Sequence, residues 1–254
     1  MRQNEKDNIQ WLEFDLLQGF PLIHGCTMRH GGVSQGTYSS LNFGRPPCAQ
    51  ERLCVEENTR KLQNLFKLPK PIRSQLVHGK TIERVDGQSL SGIDHQTLVA
   101  DGLSTNDPNI ALLMTHADCQ TAIFFDPNQK AIANVHAGWR GSVQNIYQET
   151  IVHMQREYGS NPADLLVCIS PSLGPKNAEF IHYKKELPEP FWDFQIKFKF
   201  FDFWEISRWQ LLACGIKPSH IEIAQIDTYA EAKDFFSHRR DPLSGRQATF
   251  CALT

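Results

Sequence analysis

Three short motifs hold the residue types most capable of chemistry: LVHG around His78, HADC around Cys119 and HAGWRG around His136. His78, Cys119 and His136 follow one another at intervals of 41 and 17 residues (78 to 119, 119 to 136). Each stands at the edge of a predicted strand or turn. Cys119 and His136 flank a predicted hairpin, whose two strands would return them to the same end. One thiolate and two imidazoles are ligand types that zinc favours, and three protein ligands with a fourth position left to water is the catalytic rather than the structural pattern. Short C-x₂₋₄-C spacing is missing, so this is not a closed zinc finger. The spacing alone leaves other chemistries open. Two histidines and a cysteine also suit a copper centre, and without metal Cys119 could be a nucleophile with His136 as its base. Asp118, beside Cys119, is the nearest carboxyl for moving a proton or orienting a ligand; a structural hydrogen bond is an equal alternative. His116, three residues before Cys119, and His30, in an RHGG loop, read as a polar strand-end residue and a loop residue respectively.

Arginines form the second group. Arg29 lies in a glycine-rich loop, Arg140 follows Trp139 just ahead of a predicted helix, and Arg239 and Arg240 stand together in FFSHRRDPLSGR. A guanidinium next to glycine-rich backbone or a helix N-terminus can hold an oxyanion; for any one of them a surface ion pair is the plainer expectation.

The elements that must position these residues follow from periodicity. Ile110–Met114, Thr121–Phe125 and Ala131–Val135 are short apolar runs of strand length, and Asp126-Pro127-Asn128-Gln129 joins the last two as a hairpin turn. Val143, Ile146, Tyr147, Thr150, Ile151 and Met154 share one helical face, with Ser142 as N-cap and Gly159 as stop. A short helix is predicted over Val55–Phe66, ended by Pro69 and Pro71. Leu165–Ile169, Ile221–Ile226 and Gln247–Leu253 read as strands. The aromatic-rich stretch Phe191–Phe203 reads as core, with one helix running on to Cys214 and stopped by Gly215. The chain up to Gly44 reads as loop and turns. This irregular alternation predicts a mixed α/β layered sandwich, with residues 1–254 as one domain.

Composition bounds the rest. The 254 residues are 41% hydrophobic and 21% charged with a net charge of −2, a globular balance that excludes a strongly basic nucleic-acid-coating protein. No apolar run approaches the ~20 residues of a membrane span, and the polar N-terminus MRQNEKDNIQ is no signal peptide, so a cytoplasmic location is expected. Seven cysteines, an odd number without CxxC, argue against a disulfide framework.

Taken in order, TMRHGGVSQGTYSSLNFG, LVHG, ADGLSTN, HADC-x-TAIFFDP, NVHAGWRG and FFSHRRDPLSGR resemble the YfiH-like family, long called laccase-domain or multicopper polyphenol oxidoreductase and now regarded as purine nucleoside phosphorylase. The likeness runs from about Ile23 to the C-terminus. It implies an α/β sandwich with a mononuclear zinc held by His78, Cys119 and His136. It implies phosphorolysis of adenosine, inosine, guanosine and methylthioadenosine, together with adenosine deamination, so that the expected partners are a purine nucleoside and phosphate. Arg29 and Asn42 match pocket-lining positions; Arg60, Arg140 and Arg240 complete the candidate substrate contacts. The chain departs from the family where Leu76 replaces a glutamine, His116 a threonine and Asp227 a cysteine, and where an expected Asn-Arg pair reads Asn58-Thr59-Arg60.

Overall fold

The computed structural model describes residues 1–46, 48–87 and 98–254. A polar hairpin opens the chain, β1 (Arg2–Lys6) and β2 (Ile9–Glu13), followed by β3 (Leu22–Thr27), α1 (Ala49–Phe66) and the short β4 (Pro71–Ile72). Next come β5 (Ile82–Arg84), β6 (Gly102–Thr105), β7 (Ala111–His116), β8 (Gln120–Asp126) and β9 (Ala131–Ala137). After α2 (Trp139–Val143) and α3 (Ile146–Tyr158) the chain forms β10 (Leu166–Ile169), α4 (Tyr183–Glu186), a small hairpin of β11 (Gln195–Lys197) and β12 (Phe200–Phe201), α5 (Phe203–Ala213), β13 (Ile221–Ile223) and β14 (Gln247–Leu253). Two six-stranded mixed sheets result, ordered β1-β2-β3-β14-β7-β4 and β13-β10-β8-β9-β6-β5.

Strand alternation then builds the layers. On β14 and β7, Ala111, Leu113, Ala248, Phe250 and Ala252 pack outward against Leu62 of α1. Their neighbours Leu112, Met114, Cys251 and Leu253 turn inward and meet Ile123, Phe125 and Ile132 of the second sheet. Ala122, Phe124, Ala133 and Val135 face outward again, onto Ile146, Tyr147, Ile151 and Met154 of α3 and Leu211 of α5. The order is helix, sheet, sheet, helix: the expected mixed α/β sandwich.

The central hairpin matches expectation, with Thr121 opposite His136 and Asp126 opposite Ala131. The differences have local causes. The region before Gly44 is not all loop, since it contributes three strands. β1 carries no apolar alternation and exists through its ladder with β2. β3 contains Gly25, where a Cβ would come within 2.9 Å of the Phe250 ring. α1 starts six residues before Val55 because Glu51, buried and hydrogen-bonded to Asn42, takes an inward position that a purely apolar reading passes over. The helix expected from Ser142 is broken in two. Ser142 lies buried inside α2, and Asn145, at φ +55°, caps α3 by accepting from the Gln148 amide. The aromatic stretch is core, as expected, but α5 begins only at Phe203, where Asp202 accepts from the Trp204 and Glu205 amides. Gly159 and Gly215 end their helices with positive φ, as the sequence predicts.

Asn145→Ala should destabilise the fold by about 1–2 kcal/mol, because alanine neither caps α3 nor accepts the left-handed backbone readily. Denaturant unfolding would measure it, and Asn145→Gly should recover part of the loss.

Candidate metal centre

The chain crosses from one sheet to the other three times at the same end of the sandwich, from β4 to β5, β7 to β8 and β13 to β14, and the first two crossings carry a candidate ligand. The segment from β4 to β5 holds His78. The tight turn from β7 to β8, with Asp118 at φ +76°, holds Cys119. His136 comes from the last turn of β9 and reaches the same place because Thr121 pairs with it in the β8–β9 ladder. One ligand atom from each of His78, Cys119 and His136 lies within 4.8 Å of the others, and among the described residues this is the one such group found. The two imidazole rings stand edge-on, with centroids 5.0 Å apart. His136 is buried, Cys119 half-buried and His78 exposed, so the group has an inner wall and an open side. Gly138 makes room for it: a Cβ there would lie 2.9 Å from His78 Cδ2 and 3.2 Å from the Cys119 sulfur.

Asp101 organises this group. Fully buried, its Oδ1 accepts from the His78 amide at 2.9 Å and lies 3.2 Å from His136 Nδ1, while Oδ2 accepts from the Gly79 and Val77 amides at 2.7 and 3.3 Å. With Nδ1 turned to Asp101, His136 keeps Nε2 for the open side. Burial opposes the charge of Asp101, but the hydrogen bonds from His136, Gly79 and His78 outweigh it and hold the carboxyl below its ordinary range. Burial likewise pushes the Cys119 thiol up, yet the charge of His136 and hydrogen bonds from both histidines bring it down to about 6. Burial pulls His136 down, while Cys119 and Asp101 raise it to about 9. Each partner thus favours the charged form of the other, the thiolate of Cys119 and the protonated ring of His136. Cys26 differs sharply, since burial lifts it to about 12.

The other sequence-predicted residues divide. Asp118 spends both carboxylate oxygens within the protein, on the Thr228 hydroxyl at 2.8 Å and the Arg239 amide at 2.6 Å. Arg29 donates to the Ser39 and Ala232 carbonyls and lies over Phe236. Arg240 donates to the carbonyls of Thr228, Tyr229 and Phe235. Arg140 is exposed over Trp139, and Arg60, exposed on α1, pairs with Glu57. Asn42 is buried; its side chain donates to Glu51 and accepts from the Gly44 and Arg246 amides. His116 is buried between the sheets beside Thr249, and burial holds it down to about 3. His30 pairs with Asp234. Leu76 packs at the margin of the inter-sheet core, and Asp227 accepts from Asn177 at 2.6 Å.

Two residues escape a sequence reading. Asp101 works through backbone amides more than twenty residues away, and its place in the ADGLSTN motif gives no sign of that role. Arg246, half-buried, is close enough to feel the charges of Cys119 and Asp118.

A family profile described as multi-copper polyphenol oxidoreductase laccase matches residues 23–254. A purine nucleoside phosphorylase of Bacteroides thetaiotaomicron is 32% identical over 248 residues, covering 90% of each chain. The purine nucleoside phosphorylase YlmD of Geobacillus stearothermophilus is 32% identical over 244 residues, 90% of this chain and 89% of that one. The crystal structure of Geobacillus YlmD superposes with a TM-score of 0.86 at 29% identity, over 99% of this chain and 98% of that one. Bacillus licheniformis YfiH gives the same TM-score at 28% identity, over 98% of both.

Two outcomes check this geometry. In metal-free protein, thiolate absorbance lost on Cys119→Ser should titrate near pH 6, so the thiolate is present above that pH and lost below it. A midpoint near the ordinary thiol value of 9 would contradict the charge pairing. Asp101→Asn should weaken metal binding about 10–100-fold in a chelator competition, the usual cost of losing a partner behind a ligand.

Proposed function

The chain belongs to the YfiH-like family, described as multi-copper polyphenol oxidoreductase laccases, and on that premise we propose that it is a zinc-dependent purine nucleoside phosphorylase. The observation that carries the reading is the His78–Cys119–His136 group, open on one side and backed by a buried carboxylate. A cysteine held towards its thiolate beside two histidines suits zinc, whose binding would displace the His136 Nε2 proton, and Gly138 leaves the space between them clear. When bound, the ion supplies Lewis-acid charge beside the reacting atoms.

The chain's own residues then have distinct tasks. His78, Cys119 and His136 hold the ion, and Asp101 fixes the tautomer and aim of His136. Arg246, the cation that senses Cys119, is assigned to the phosphate, with Arg140, exposed two residues beyond Gly138, as a further substrate contact. Asn42 sets the Arg246 backbone. Arg29 and Arg240 spend their donors on carbonyls and are assigned to shaping the wall. Asp118 positions Cys119 by tying its turn to Thr228 and Arg239. Arg60, held by Glu57, stands outside the proposal. In the reaction a phosphate oxygen bonds to C1′ of the ribose, the glycosidic bond breaks with its electron pair to the purine, and a proton neutralises the departing base. Adenosine, inosine, guanosine and methylthioadenosine are the proposed substrates. With water in place of phosphate, the same site is assigned deamination of adenosine, water oxygen joining C6 as ammonia leaves. The chain lacks the H-x-E and P-C-x-x-C signature of other zinc deaminases.

The family description favours a second reading, a copper oxidase. Multicopper chemistry needs several metal groups, and one is found among the described residues. A Cys119–His136 hydrolase without metal uses the same charged pair.

Metal analysis joined to product analysis separates these readings. The purified protein should carry about one zinc and no copper. It should release free purine from nucleosides only with phosphate, and convert adenosine to inosine without it. Cys119→Ala should lose zinc and phosphorolysis, by more than about 100-fold, beyond the range for a supporting residue. Full phosphorolysis in that variant would overturn the assignment; thiol labelling with zinc still bound would favour the hydrolase.

A further inference from the structure

A second cavity, of about 620 Å³, opens between α1 and the β4 edge of the first sheet. His78, Cys119, His136 and Asp101 take no part in its lining. Its walls carry Arg45, Arg52, Lys70 and Arg73 against one carboxylate, Glu56. Such a surplus of positive charge is not a property of the chain, whose net charge is −2. Among the described residues, none of these four cations forms an ion pair. Arg73 donates to the Phe43 carbonyl, which fixes its guanidinium, and among the described residues no other acceptor for it is found. Burial lowers Arg73 to about 10, and the neighbouring charge of Arg45 adds to the effect.

Like charges gathered around a concave space repel one another and raise the free energy of the empty site, a cost that an anion offsets on binding. Guanidinium groups match the geometry of phosphate oxygens, and Lys70 adds a mobile point charge. Thr59 and Gln63 bring polar groups from α1, while Val55 and Pro71 give the cavity an apolar side. The volume is that of a small-molecule site rather than of a single-ion niche. We propose that this cavity is a binding site for a small molecule bearing a phosphate group, separate from the metal centre. The proposal does not rest on the phosphorylase reading.

The test is calorimetric titration of full-length Cys119→Ala, in which the metal centre is disabled, with inorganic phosphate, adenosine 5′-monophosphate and adenosine. Saturable binding of either phosphate-bearing probe, with adenosine much weaker, is expected. Binding of phosphate alone would identify a free oxyanion as ligand, and binding of the monophosphate alone a phosphate ester; either supports the site when substitutions in the cavity, and not Arg246→Gln at the metal centre, weaken it. Adding Arg73→Met or Arg45→Gln should weaken binding at least about tenfold. Should Arg73→Met fail to fold by circular dichroism, Arg45→Gln combined with Arg52→Gln, both at exposed positions, decides the question. The proposal is overturned by absence of saturable binding up to about 10 mM, by adenosine binding as tightly as its monophosphate, or by affinity that these substitutions leave unchanged.

Discussion

The structure depends on one buried carboxylate. Asp101 has no solvent exposure, and a charge so placed is destabilising unless its oxygens are fully engaged. Here they are engaged by three consecutive amides of residues 77–79 and by the His136 ring. The requirement runs both ways. The amides must stay turned inward to satisfy Asp101, which holds His78 at φ +58°, a backbone region uncommon for residues other than glycine. Its own carbonyl, meanwhile, accepts from the His136 amide at 2.6 Å. Two candidate ligands from distant parts of the chain are thus aimed by a group that itself has no place among them.

The layer between the sheets changes character along its length. At one end lie Leu253, Phe125 and Ile132; at the other the same strands present Thr249, Thr121, Asn134 and His116. The polar residues largely satisfy one another, as in the Thr121 and Thr249 hydroxyls at 2.6 Å and the Asn134 amide on the Thr249 carbonyl at 2.8 Å. Beyond them the chain crosses between sheets and the His78–Cys119–His136 group forms. The apolar end supplies burial energy, and the polar end conducts the fold towards a charged site without an abrupt boundary.

What the sequence made legible follows from where each signal resides. Cys119 and His136 could be brought together because the intervening hairpin has two apolar runs and a clear turn, all local features. His78 came with a motif, but the reason for its position did not, since it resides in backbone amides bound to Asp101. The arginines are hard to read for a related reason: a sequence displays a guanidinium but not what it is spent on, and Arg29, Arg240 and Arg246 all donate to loop carbonyls, Arg246 alone of the three lying close enough to feel the charge of Cys119. β1 was invisible because an exposed edge strand needs no apolar alternation. The break at Asn145 was hidden because Val143 continues the helical spacing across it. Nearly all of the inner layers could be read; the cationic cavity beside α1 could not, because its walls come from segments with no common pattern.

Return to the pairing of Thr121 with His136. Side chains on a strand alternate between faces, so a slip of one residue in that ladder would turn His136 out of the inter-sheet layer and onto the α3 side. A slipped chain could still bury much of its apolar surface, but it could not chelate. An ion that binds only the correct pairing adds RT ln(1 + [L]/Kd) to the stability of that arrangement and nothing to its competitors. Any metal held by this group would thus act as a proofreader of β-strand register.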